Sequence, residues 1–234
     1  MMFSNSEAFG AGWRILKDRA GFLIGVHLVA LAVQFAPQLL MGDSPGMKAL
    51  VVIGSLLLSF VAALGLVRIG LNLADGQDAE FADLWSCAHL VFKYLVAALL
   101  HFSLVVSCPA LVIKLGSYFF SLNEFLSHTV LAVISGFLLV LLSLYVLILF
   151  SLWPYLMVEH ELGPIEAMKE SSRLTRDTRG NLMLFYMLSL VAILLGAVVL
   201  LVGSIVAYAL ITVAGAFVYR QILANQPEHA GVLT

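Results

Sequence analysis

Charge is scarce in this chain. Lysine and arginine number 12, aspartate and glutamate 14, and together they make up 11% of 234 residues, against 62% hydrophobic. A soluble domain carries about 25% charge. A water-soluble fold of this length has too little interior to hide so much apolar surface. The scarcity therefore excludes an ordinary soluble domain, and a mean hydropathy of +1.05 points to an integral membrane protein. The length suits one membrane domain over residues 1–234, without room for a separate soluble one. Cysteine is scarcer still. Cys87 and Cys108 make no disulfide framework, and both read as free thiols. The net charge of −2 gives no basic surplus for nucleic acid. The N-terminus does not look like a cleaved signal peptide, because no small-residue cleavage site follows a short apolar run.

Motifs that carry chemistry are missing as well. There is no HExxH, P-loop or CxxC pair. No Asp or Glu falls inside a predicted span, which weighs against a proton-coupled carrier. His27 and His101 stand alone in their spans and read as hydrogen-bonded structural residues before ligands or relays. His160 lies between Glu159 and Glu161, but adjacent residues on a short loop chelate a metal poorly. Ser107-Cys108-Pro109 reads as a helix kink. Arg68, near the end of its span, can snorkel. The expectation is a non-enzymatic protein with no cofactor and no metal.

What the chain has is long charge-free runs: Ala20–Gly42, Ala49–Val67, Tyr94–Ile113, Phe125–Val158 and Gly180–Tyr219. A bilayer core needs roughly 20 helical residues. The last run, as one helix, would be about 60 Å long, so it must fold back, and Gly203-Ser204 is the expected turn. The runs predict six spans, near 21–41, 48–73, 93–114, 129–157, 181–201 and 204–223. Trp153, Pro154 and Tyr155 read as a helix-bending aromatic belt, and Leu115–His128 as the largest outer loop. Ten cations (Arg14, Lys17, Arg19, Arg68, Lys93, Lys169, Arg173, Arg176, Arg179 and Arg220) fall on the side that holds both termini; only Lys48 and Lys114 fall on the other. By the positive-inside rule both termini are cytoplasmic and the chain is a multi-pass inner-membrane protein.

A segment also echoes. EAFGAGWRILKDRAGFL at Glu7–Leu23 aligns without gaps on EAMKESSRLTRDTRGNL at Glu166–Leu182. Glu7, Ala8, Arg14, Asp18, Gly21 and Leu23 match Glu166, Ala167, Arg173, Asp177, Gly180 and Leu182. Each copy reads as an amphipathic interfacial helix leading into a span. In the first, Phe9, Trp13, Leu16 and Ala20 share a face, and Ser4–Glu7 forms a capping box. A middle helix would have Asp78 as its cap and Phe81, Leu84, Trp85, Ala88 and Phe92 as its apolar side. The fold expected is thus all-α: a six-span helical bundle with cytoplasmic in-plane helices, in three parallel units (1–74, 78–158 and 163–225), each an interfacial helix plus a two-span hairpin.

Two groups of residues are candidates for contact with ligands. Lys169, Arg173, Arg176 and Arg179 are the candidate lipid-headgroup contacts, able to attract anionic lipids at up to about 1 kcal/mol each; the plainer reading is that they only set topology. His101, Tyr145 and Tyr208 would line a cavity if the protein were a small-solute or lipid transporter. A lateral apolar crevice rimmed by Arg173, Arg176 or Arg179 would instead point to lipid handling.

EAMKESSRLTRDTRGN after SLWPYLMVEH-ELGP, the opening EAFGAGWRILKDRAGFLIGV, the middle ADGQDAEFADLWSCAHLVFKYL and the final ITVAGAFVYRQI resemble the YciC-like group of bacterial membrane proteins. They are also similar to the membrane domain fused to some glycerophosphoryl diester phosphodiesterases. The resemblance implies a six-span fold with no established reaction; the phosphodiesterase domain and its active-site residues are absent from this chain. The expected role is contact with membrane lipids, or with a membrane-protein partner or second copy, in the cell envelope.

Overall fold

The computed structural model describes residues 4–40, 44–122, 128–198 and 200–225, with side chains omitted at 40, 108–113, 115–122, 128–135 and 200–202. Among the described residues there are ten α-helices and no strand: α1 (Asn5–Asp18), α2 (Ala20–Phe35), α3 (Pro45–Ala74), α4 (Asp83–Ser86), α5 (Val91–Leu122), α6 (His128–Leu149), α7 (Trp153–His160), α8 (Pro164–Leu174), α9 (Arg179–Val198) and α10 (Leu200–Ala224). Six stretches are long and apolar enough to span a membrane: Ala20–Leu39, Pro45–Ala74, Asp83–Ser107, Gly136–His160, Arg179–Val198 and Gly203–Ala224. The chain is a multi-pass, all-helical membrane protein, as the charge-free runs predict.

Termini and turns are set by local chemistry. Ser4 caps α1 by accepting from the Glu7 N–H at 3.3 Å, and Ser44 caps α3 from Met47 at 3.2 Å. The fold-back between the last two spans differs from expectation. Gly203 lies inside α10, not at a turn. It packs against Gly196 of α9 so closely that a Cβ on Gly196 would stand 2.7 Å from the Gly203 carbonyl carbon. Two glycines here permit backbone contact between neighbouring spans. α5 likewise continues to Leu122, beyond the expected start of the outer loop at Leu115. The side chains of Cys108, Tyr118, Phe119, Phe120 and Phe125 lie outside the described residues.

The expected in-plane helices are placed differently. The Ser4 N–H donates to Gln221 Oε1 at 3.2 Å, while Gly12, two turns on, meets Ala214, two turns back. α1 therefore runs antiparallel beside α10 and buries Ala8, Ala11, Gly12 and Leu16. α8 folds back beside α7 in the same manner: it starts just after His160, and its Ser171 reaches Leu149 and Leu152, which precede α7. Both helices lie along spans because their small residues (Ala8, Gly12, Ala167 and Ser171) permit close packing. The middle helix shrinks to the single turn of α4, followed by a 3₁₀ turn at Ala88–Leu90. Leu84 alone of its expected apolar side is fully buried; Phe81, Trp85 and Phe92 are exposed. Asp78 pairs with Arg19 rather than capping. The Leu84 backbone presses on Gly65, nine residues or about 13 Å of helix before the end of α3, so the connection drops along α3.

The core lies in the half of the bundle nearest these short helices. Leu64, Leu71, Leu90, Leu156, Met157, Leu174, Leu182 and Tyr219 are all buried there. The expected aromatic belt belongs to it: Trp153 is buried against Tyr94 with ring centroids 4.7 Å apart, and Tyr155 stacks on Tyr219 at 5.2 Å. In the other half Leu50, Ile53, Phe102, Leu190 and Leu195 are exposed.

Candidate functional site

Pro154 breaks the fourth span. Its ring lacks an N–H and obstructs the carbonyl four residues earlier, and the chain turns through 150–152 between α6 and α7. A break at membrane depth persists only where protein groups satisfy the freed backbone. α8 supplies them. The Leu152 N–H donates to Ser171 Oγ at 3.0 Å. The Ser171 and Thr175 hydroxyls both donate to the Leu149 carbonyl, at 3.3 and 3.2 Å. Ser171 and Thr175 are fully buried. Both were missed in the sequence, although hydroxyls at 171, 175 and 178 mark one helical face.

Above this break opens a groove of about 430 Å³ between α5, α6 and α9. Leu144, Leu147, Met183, Met187 and Leu190 line it together with His101, Trp153 and Tyr186. The Trp153 indole N–H donates to His101 Nδ1 at 2.9 Å. That places the proton of a neutral His101 ring on Nε2, which is enclosed without a partner. Arg179 sits one turn before Met183. Its Nη1 donates to the Tyr145 hydroxyl at 2.7 Å, and its guanidinium lies over the Tyr145 ring, 5.3 Å from the centroid. The pair bridges α9 and α6 beside the groove, one turn before Met183 and next to Leu144, without lining it. Arg179 has no carboxylate partner among the described residues.

A second groove, about 760 Å³, opens between α2, α3 and α10. His27 closes its inner end, with Nδ1 donating to the Leu23 carbonyl at 2.8 Å and Nε2 standing 3.2 Å from Thr212 Oγ1. Gln34, Ser59, Ser204 and Tyr208 are its other polar lining residues.

The three cavity candidates do not meet. His101 borders the smaller groove and Tyr208 the larger, while Tyr145 lines neither and holds Arg179. The four cations also separate. Arg173 pairs with Glu170 at 3.0 Å, Arg179 donates to Tyr145, and Lys169 and Arg176 are exposed. Arg220, read only as a topology charge, proves to be a junction. It forks onto Asp75 and also pairs with Glu159, which accepts a 2.6 Å hydrogen bond from the Tyr219 hydroxyl. His160 stands 3.5 Å from the same carboxylate. Among the described residues no three His, Cys, Asp or Glu side chains gather as metal ligands. Compared with protein-family models, curated proteins and solved structures, the chain matches none.

Proposed function

We propose that this chain is a non-enzymatic inner-membrane protein, with both termini cytoplasmic, that holds an anionic membrane lipid. The lipid's tail lies in the groove between α5, α6 and α9 and its phosphate meets Arg179. The observation that carries the reading is Arg179 itself: a planar cation, oriented by Tyr145 and unmatched by a carboxylate, beside an apolar groove. A guanidinium suits phosphate because its fork donates two parallel hydrogen bonds. Lys169 and Arg176 are exposed on the same charged side and add long-range attraction. The resemblance to a membrane domain fused to lipid-headgroup phosphodiesterases agrees with this role by analogy.

The echo between 7–23 and 166–182 reads as one entry module used twice. Ala8 and Ala167, Gly12 and Ser171, Leu16 and Thr175, and Leu23 and Leu182 are buried at matched positions. Their charged counterparts, Glu7/Glu166, Arg14/Arg173 and Asp18/Asp177, are exposed at both. The module seats a helix beside a span and then starts the next span. We extend it to three parallel units, the middle one shortened.

Native mass spectrometry of protein released from nanodiscs tests the lipid reading. Phosphatidylglycerol should remain bound to the wild type and be lost about tenfold more readily from Arg179→Gln, the range expected for one charge-assisted hydrogen-bonded contact. Equal retention by both proteins rules the site out.

A further inference from the structure

We propose that the larger groove, between α2, α3 and α10, binds a second and different ligand: an uncharged membrane amphiphile with hydroxyl or carbonyl groups beside a hydrocarbon tail, of the diacylglycerol class. Its volume of about 760 Å³ falls in the range of ligand sites, roughly 300–1,000 Å³. The space exists because Ala30, Ala62 and Ala63 stand where larger side chains would fill it. Its remaining apolar wall is Leu31, Phe35, Leu66 and Ile205, a surface for a tail.

Charge selects the head. Among the described residues no Lys, Arg, Asp or Glu lines this groove, so a phosphate drawn into it would lose its water without gaining a counter-charge. The smaller groove differs in having Arg179 one turn from its lining residue Met183. Neutral hydrogen-bonding groups are what the larger one offers. The Gln34 amide, the Ser204 hydroxyl and the Tyr208 phenol have no protein partner among the described residues. They come from α2 and α10 and border one space. The Ser59 proton goes to the Ser55 carbonyl at 2.7 Å, leaving its oxygen as an acceptor. Polar groups in hydrocarbon need partners. A hydroxyl and an ester carbonyl on one ligand can serve an amide and a phenol together. Isolated water suits the site less well, since it needs two to four polar contacts and most of the wall is apolar.

Photolabelling tests the assignment. The full chain is placed in phosphatidylcholine nanodiscs with a trace of photoactivatable diacylglycerol, and the adducts are mapped by mass spectrometry. Labels should concentrate on 30–35 and 204–208. Gln34→Leu combined with Tyr208→Phe should cut them about tenfold through two lost hydrogen bonds, and neither change adds bulk or charge to the fold. Ala63→Phe should exclude the probe; Ala30→Leu serves if that variant does not fold. Labelling no denser than on the exposed α5 ridge around Phe102 overturns the site. So does a double variant labelled like the wild type, or equal labelling by a pure hydrocarbon probe. Arg179→Gln should leave this labelling unchanged, so the two grooves stand or fall separately.

Discussion

Arg220 grips Asp75 through two parallel hydrogen bonds, Nε to Oδ1 at 2.7 Å and Nη2 to Oδ2 at 2.6 Å. The residues are 145 positions apart, and Asp75 caps the end of α3. The third arm of the same guanidinium reaches Glu159 of α7. One side chain thus joins the ends of three elements.

Removing that cation should be costly. Arg220→Met leaves two partly buried carboxylates facing each other, and we expect a loss of about 2 kcal/mol, read as a lower melting temperature in detergent. Arg220→Lys should recover only part, because a point charge cannot reproduce the fork. A melting temperature unchanged in Arg220→Met would show that the junction contributes nothing.

Ser171 should matter more than its neighbour Ser172. Ser171→Ala strips the Leu152 N–H of its acceptor, at roughly 1–3 kcal/mol for a buried unpaired donor. Ser172→Ala removes no such bond and should fall within about 0.5 kcal/mol of wild type, as surface changes do. Paired unfolding curves decide it, and equal effects would remove α8 from its role in bracing the break.

Two glycines make a contrast. A Cβ at Gly65 would enter the Leu84 backbone, whereas one at Gly21 meets nothing within 4 Å. Gly65→Ala should displace the connection between α3 and α5 and lower stability by about 1–3 kcal/mol. Gly21→Ala should be neutral, or stabilise its helix by up to about 1 kcal/mol. Tryptophan emission from Trp85, next to Leu84, reports the displacement; an unshifted spectrum with unchanged stability in Gly65→Ala contradicts the contact.

Orientation is tested by accessibility. In a background with Cys87 and Cys108 replaced, Lys48→Cys should react with a membrane-impermeant maleimide added outside spheroplasts, and Asn225→Cys only after lysis. The reverse pattern inverts the topology.

The grooves were only partly legible in advance. The sequence leads to an expected crevice rimmed by Arg179, but Tyr145, expected in a cavity, instead anchors Arg179. Spacing along one helix shows which residues share a face. It does not show which face of another helix arrives there. Tyr208 and Gln34 border one space for that reason alone, 174 positions apart in sequence.

Hydropathy and charge spacing set the class, the six spans and their approximate limits. Those depend on local quantities: a helix must satisfy its own backbone in hydrocarbon, and charge is excluded over roughly 20 residues at a time. Tertiary structure alone decided that α1 and α8 lie beside spans rather than across their ends. It also decided that Gly203 is a contact instead of a turn, and that Arg220 is a junction instead of a flanking charge. Each depends on a partner more than 100 positions away or on the exact fit of two surfaces, and side-chain packing, not hydropathy, selects among such arrangements.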